Sequence, residues 1–498
     1  PLLGVAAAIA IGIAVTLLAA LQPAFIAGRV SPLAAIKMGA NEPTRRGTFA
    51  RLFFAFLGIG IGGGISYLPG PEELGIFAKW AVPIHEFGSF MFLLGAALLV
   101  PSLIRPLGSF FALPIRAIFR ETGKLAAVNL QKNRGRTAAT AAAIMITMAM
   151  LISVGGMVGS FRESVDKWVD KSLGADVFVS GQNLSVTFNE KLGAKLKRVK
   201  GVSDLTTIRI FPVQLNEERI MFRAVEPKSL RRFATLQFTS KNPEKSWASL
   251  KRGRRIFISN VVANKRGLKV GDETMITTVK GPKTFVVAGV TVDFGGDIGD
   301  LIIGTRSDMK KYFDLDDVSA FRIKVDKGVA PRKVANRIDK KFKHLNPDVQ
   351  DIQEFKDLVI KQVNSSFSVF NVLILLAAII AVISLFNTLT MNILERRREI
   401  GLLRAVGATR GQIGLMTMLE ALMTGAIGVF LGLLVGGFIS SDIVNGMNLL
   451  TGYEIVFAFP TEVTIMAVVF GLAAAMLAAI YPAHRAATLE IGRAIQYE

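Results

Sequence analysis

The chain contains no cysteine, which excludes a disulfide framework and any thiolate metal site. A part exposed outside the cell must therefore fold on its apolar core alone. Histidine is almost as scarce. His85, His344 and His484 lie far apart along the chain and define no metal site. There is no Gly-x-x-x-x-Gly-Lys-Ser/Thr phosphate loop, so ATP is not bound by that route. No serine stands beside a plausible base, which leaves no nucleophilic centre. The aromatic interleaving that a single-stranded nucleic-acid surface needs is missing from the basic runs. The sequence thus calls for no cofactor, no metal and no nucleic-acid partner. Also missing are an initiator Met and a charged segment before the first apolar run. That run is no ordinary signal peptide, and the expectation is a fragment lacking its N-terminal part.

Apolar residues make up 51% of the 498, and the formal charge is +21. With so many apolar runs, the basic balance points to acidic membrane lipid. A bilayer needs about 20 mostly apolar helical residues per crossing. Seven runs meet this: Leu2–Leu21, Phe49–Leu68, Phe87–Ile104, Thr137–Phe161, Phe367–Leu389, Ile413–Ser440 and Val463–Tyr481. Pro101 is expected to close the third. The short loops alternate in charge. Residues 25–46, 105–136 and 393–412 and the tail are basic, whereas 69–86 and 441–462 are acidic. Basic loops stay in the cytoplasm, and seven crossings then place Pro1 outside and Glu498 inside.

The insertion at about 162–365 falls outside and reads as a soluble α+β domain. Val177–Val179, Ile256–Ile258, Met275–Val279 and Thr284–Val290 are short β-branched or aromatic runs bounded by turn residues. Val329–Phe342 has helical spacing. The domain is itself basic, but long domains cross the membrane regardless of charge. Its run Lys251–Arg255, with Lys265, Arg266 and Lys269, reads as a solvated face. Pro23-Ala24 … Ala27 … Ala35-Ile36 echoes Pro482-Ala483 … Ala486 … Ala494-Ile495 at a constant offset, as repeated modules do.

The most informative stretch is Glu395-Arg396-Arg397-Arg398-Glu399-Ile400-Gly401-Leu402-Leu403-Arg404-Ala405-Val406-Gly407-Ala408. It lies between two spans, on the cytoplasmic side. Ile400, Leu403 and Gly407 share a helical face that a soluble partner could grip. With Val128-Asn129-Leu130 … Asn133-Arg134 … Arg136-Thr137-Ala138, Glu420 followed by Gly425, Gly428, Gly432 and Gly436, and Tyr481-Pro482-Ala483 … Arg485-Ala486-Ala487, it resembles the FtsX-like, MacB-like permease family of ABC transporters. The insertion resembles that family's periplasmic core domain through Ile258-Ser259 … Gly267-Leu268-Lys269-Val270-Gly271-Asp272.

The resemblance implies a bacterial inner-membrane, multi-pass protein: an α-helical transmembrane bundle of about seven spans with one α+β extracytoplasmic domain. It implies residues 1–46 as the end of a first module, 47–119 as a two-span linker and 120–161 as the first span of a second module. Residues 162–365 would be the core domain and 366–498 a three-span permease domain. The implied partners are a cytoplasmic ABC ATPase subunit, a second permease copy or homologue, membrane lipids, and a lipid, lipoprotein or peptide substrate. Export or membrane extraction is the implied work. The alternative is an FtsX-type signalling subunit that activates an extracytoplasmic cell-wall hydrolase.

On this reading Glu395, Arg396, Arg397, Arg398, Glu399, Ile400, Gly401, Leu403, Arg404, Gly407, Ala408 and Arg410 form an ATPase-coupling helix. The arginines would meet acidic groups of the ATPase or lipid phosphates, and the two glutamates would pair with arginines. Gly428, Gly432 and Gly436 recur every four residues, as do Gly60 and Gly64, and Gly155 and Gly159; such spacing suits close span packing. Glu420 is a candidate intramembrane polar site.

Overall fold

The computed structural model describes residues 45–66, 81–132, 134–172, 174–181, 186–216, 218–239, 243–292, 301–451 and 455–489, with scattered helical positions among residues 6–25. Most of the expected Leu2–Leu21 span lies outside the described residues. So do most of the loops 25–46 and 69–86, the Pro23–Ile36 half of the internal echo and the last nine residues. The chain divides into two units, Pro1–Phe54 and Ala55–Glu498. The first is helical where described, and the second holds the helical bundle and the α+β domain.

Among the described residues six helices are long and apolar enough to cross a membrane. They are α1 (Arg45–Ile65), α2 (Ala81–Lys132), α3 (Arg134–Ser172), α10 (Ser368–Glu395), α12 (Arg410–Thr451) and α13 (Thr461–Ala487). The crossing windows of α3 and α12 are 61% buried and those of α1 and α10 only 11%. The first two therefore form the centre, and α1 and α10 expose nearly all of their apolar surface, as lipid-facing helices do. Val369, Val372, Leu375, Ile380 and Ile383 of α10 are all exposed.

Proline does not end the third span. α2 continues through Pro101, Pro106 and Pro114 and changes direction only at Arg120 (φ 46°, ψ −120°). Proline within a membrane helix is tolerated where neighbours re-satisfy the freed backbone. The stretches 105–132 and 441–451, expected as loops, are helical as well.

Between α3 and α10 lies the α+β domain. Its sheet is built from β1 (Val177–Ser180), β2 (Val202–Leu215), β3 (Glu218–Val225), β4 (Arg255–Ser259), β5 (Glu273–Thr278), β6 (Gly281–Thr291), β7 (Leu301–Thr305), β8 (Ala320–Val325) and β9 (Asp348–Asp351). The four runs marked in the sequence are β1, β4, β5 and β6. β2 carries the design. Its second half pairs with β3 and, through Gln214 and Leu215, with β5. The order β2-β3-β7-β4-β6-β5 thereby closes on itself. Closure leaves no open edge to aggregate. Phe211, Leu215, Phe222, Ile256, Ile276 and Phe285 fill its interior, against α7 (Asn260–Arg266).

The first half of β2 pairs instead with β8, which continues to β1 and β9. The helices α4 (Lys191–Lys197) and α8 (Pro331–Phe342) cover this second part of the sheet, over Val177, Val179, Leu196, Phe321, Ile323 and Ile338. α8 is the helix read at Val329–Phe342, with Val334, Ile338 and Phe342 inward. The helices α5 (Pro227–Phe233) and α6 (Pro243–Leu250) close the other side, where Trp247 packs edge-on against Phe257.

The domain is joined to the bundle by an apolar seam. Val165, Trp168 and Val169 at the end of α3 pack with Val444 of α12, Val292 and Ile455. Phe355 of α9 (Ile352–Ser366) stacks on Phe178 of β1, with ring centroids 4.7 Å apart. The segment between α12 and α13 is held to α3 by hydroxyls. Ser160 accepts from the Ala458 N–H at 2.9 Å and Ser164 from the Val456 N–H at 3.1 Å.

Candidate functional site: a clamped cytoplasmic turn

With the α+β domain outside, α10 carries the chain to the cytoplasmic side. α10 stops at Glu395, because Arg396 leaves the helical conformation (φ −100°, ψ 16°). A nine-residue helix follows, α11 (Arg397–Ala405). It ends at Gly407, whose φ of +108° suits glycine and strains a side chain. The Ala408 N–H bonds the Leu403 carbonyl at 3.0 Å and the Gly407 N–H bonds the Arg404 carbonyl at 3.1 Å. Together these are the two bonds of a Schellman stop. Thr409 then starts α12 through a reciprocal cap. Its hydroxyl accepts from the Gln412 N–H, and the Gln412 side chain accepts from the Thr409 N–H. Two opposed signals, at Gly407 and Thr409, fix the turn.

The charges of the turn largely point inward. Arg396 is mostly buried. Its Nε donates to Glu399 at 2.9 Å and its Nη2 to Asn129 at 2.7 Å, while Nη1 stands 3.8 Å from Glu420. Glu399 also accepts from Lys132 at 2.5 Å. The hydrogen bond from Lys132, and next that from Arg396, hold the Glu399 carboxyl below the ordinary carboxylate range. Glu395 takes a two-pronged ion pair from Arg136, which also reaches Asn392. Arg404 donates to the Leu489 carbonyl. So Glu395 and Glu399 do pair with cations, but two of those, Lys132 and Arg136, come from other helices.

Ile400 (3% exposed) and Gly401 are buried, and Leu403 is half-buried. Ile400 joins a core with Leu130, Ile393, Ile413, Met416 and Leu419. Of the expected gripping face only Gly407 is exposed. The outward face is instead Arg398, Leu402, Ala405, Val406 and Arg410, with Leu402 51% and Val406 88% exposed. The physical reason is the shortness of α11. The buried side is chosen by the helices it lies on, and Ile400, Leu402 and Leu403 do not single out one face. Arg398 and Arg410 make no ion pair among the described residues. Arg397 is half-buried, and its Nε is buried without a partner among the described residues. Ala408 is half-buried beside the core.

Glu420 is buried on α12, nearly three turns beyond Arg410, facing Arg396. Gly428, Gly432 and Gly436 run along α12 against α3. A Cβ at Gly428 would fall 2.7 Å from the Ile144 Cβ, one at Gly432 would overlap the Met148 Cβ, and one at Gly436 would fall 2.9 Å from the Ala149 backbone. Gly155 lies against Val463 of α13, whereas Gly60, Gly64 and Gly159 face open space. In α1 the close contacts with α2 belong to Gly58 and Gly62 instead. Sequence reasoning gave Asn129, Lys132 and Arg136 no part in this turn, and it did not find the buried pair of His85 and Asp442. Each depends on partners hundreds of residues away, and no local spacing signals them.

Residues 371–491 match the FtsX-like permease C-terminal family, and residues 137–341 match the MacB-like periplasmic core domain. An uncharacterised ABC transporter permease of Mycobacterium tuberculosis is 24% identical over 98% of this chain, which spans 57% of that relative's length. The lipoprotein-releasing system transmembrane protein LolC of Haemophilus influenzae is 22% identical, over 57% of this chain and 77% of its own. The solved extracellular domain of the noncanonic ABC-type transporter YknZ from Gram-positive bacteria aligns over 34% of this chain and 94% of that domain, with 14% identity and a TM-score of 0.26. The two matched regions take in most of the described bundle and the α+β domain, and through them the chain belongs to the FtsX-like permeases of ABC transporters that carry a MacB-like periplasmic core domain.

Proposed function

We propose that this chain is a permease subunit that couples ATP hydrolysis by a separate cytoplasmic subunit to export, or membrane extraction, of a lipid, lipoprotein or peptide. The carrying observation is the division of α11 into two faces. One is locked into the bundle by Ile400, Arg396 and Glu399. The other presents Leu402 and Val406 between Arg398 and Arg410, which make no ion pair among the described residues. An apolar knob ringed by cations is a docking element: burial supplies the affinity, and the charges set orientation against an acidic socket. The inner face makes the element stiff, so a push on the knob is passed to α12 and α3. The similarity to a lipoprotein-releasing protein supports a lipidic or lipid-anchored cargo.

The test uses the full chain and the ATPase that co-purifies with it, reconstituted in phosphatidylethanolamine–phosphatidylglycerol vesicles. Val406→Asp and Arg398→Glu are expected to keep membrane insertion and lose ATPase binding and the permease-dependent part of hydrolysis. Unchanged binding and hydrolysis in both variants would overturn the proposal.

A further inference from the structure

The part of α2 beyond the bend at Arg120 lies outside both matched regions, yet it grips the coupling turn from one side. Ala126, Ala127 and Leu130 are fully buried and share the core of Ile400, Ile413 and Met416. Asn129 sits between two elements of the turn. Its Oδ1 accepts from Arg396, and its Nδ2 lies 3.4 Å from the Met416 sulfur on α12. Lys132, one turn on, donates to Glu399 of α11. Arg396 thereby touches α2, α11 and α12 at once.

A helix of nine residues is marginal by itself, so its position is set by what clamps it. Lys132 and Arg396 pair with Glu399, and Arg136 pairs with Glu395. These cations are taken up inside the clamp, whereas the outward Arg398 and Arg410 make no ion pair among the described residues.

We propose that Asn129 and Lys132 are positioning residues for the coupling turn, and that the α2 tail and α11 move as one body when the turn is pushed. This rests on the coupling reading above. It makes the helix preceding α3 part of the transmission, and not only a tether. A push on Val406 then reaches α12 through Arg396 and reaches α2 through Lys132 and Asn129 together.

The chain has no cysteine, so spin labels can be placed singly. Labels at Lys124→Cys and Leu394→Cys, both exposed and off the docking face, report the separation of the α2 tail and the coupling turn. The complex with its co-purified ATPase is compared without nucleotide and trapped with ATP and vanadate. The separation is expected to be the same in both states of the parent. In Lys132→Glu it should change on trapping, and permease-dependent hydrolysis should fall about fivefold or more, with ATPase binding retained. The swap Lys132→Glu/Glu399→Lys should restore both readouts, which loss of fold would not allow. Should Lys132→Glu insert poorly, Asn129→Leu against Asn129→Asp, which keeps an acceptor for Arg396, reads the same effect. Separation of the labels on trapping in the parent, or no recovery in the swap, would overturn the proposal. If Val406→Asp also left binding and hydrolysis intact, the coupling reading itself would fail. If only Val406→Asp uncoupled the complex, the clamp alone would fail.

Discussion

His85 of α2 and Asp442 of α12 face each other inside the protein, with Nδ1 and a carboxylate oxygen 3.4 Å apart. Ser89 donates to the second Asp442 oxygen, and both side chains of the pair are almost fully buried. Removing one member of a buried polar pair leaves the other without its neighbour, at about 1–3 kcal/mol. Asp442→Ala and His85→Ala should therefore each lower the unfolding temperature in detergent. The double replacement His85→Leu/Asp442→Leu should cost clearly less than the two single changes summed. Additive losses would show that the pair does not interact.

Gly432 holds α12 against α3 at a distance no side chain fits. Gly432→Leu should force the central helices apart, with an overpacking cost of about 1–3 kcal/mol or more. Gly60→Leu, at a position open to its surroundings, serves as the control and should leave stability unchanged. Equal yields of folded, monodisperse protein from both variants would contradict the packing described.

Glu399 gives the turn a defined response to acid. Its carboxyl is held below the usual value of 4.5 by Lys132 and then Arg396. A depressed folded value means that the stabilisation is complete above the unfolded carboxylate range and is lost as pH falls through the lowered value. Because Glu399 is partly exposed, the gain is modest. Spin labels at Lys124→Cys and Leu394→Cys should keep a fixed separation from neutral pH down to the carboxylate range, and loosen only below it. Glu399→Gln should be loose throughout. Loosening of the parent near neutral pH would contradict this assignment.

Ser160 and Ser164 satisfy the N–H groups of Ala458 and Val456. Each of these part-buried hydrogen bonds contributes about 0.5–1.5 kcal/mol. In Ser160→Ala amide exchange should quicken at Ala458 and not at Val456, and Ser164→Ala should show the reverse. Uniform exchange in both variants would mean that the hydroxyls do not hold the segment.

Six of the seven expected spans were legible among the described residues, because an apolar run of membrane length is a local property of sequence, whatever it packs against. β1, β4, β5 and β6 were legible for a related reason, being short β-branched or aromatic runs between turn residues. β2 was not. Ser203, Asp204, Thr206, Thr207 and Arg209 interrupt its apolar pattern, because its two halves pair with different strands. In the turn, the composition of Glu395–Arg410 marked the place but not the orientation. Glu399 and Lys132 are 267 residues apart, and only the fold of α2 against α12 brings them together. Leu402 and Leu403 are chemically alike, so which of them faces the bundle is settled by tertiary packing. Proline in α2 misled for an instructive reason: its rule is written for water, where the lost hydrogen bond has no neighbouring helix to compensate it.

α3 is one unbroken helix of 39 residues, about 58 Å long at 1.5 Å per residue, nearly twice the apolar thickness of a bilayer at about 30 Å. It leaves the membrane without a joint and ends in the seam beneath the α+β domain. Geometry then provides gain: pivoting such a rod by about 5° at its inner end sweeps its outer end through about 5 Å. A tilt of that size would move the outer end by a full strand spacing, about 4.8 Å, where the sheet begins.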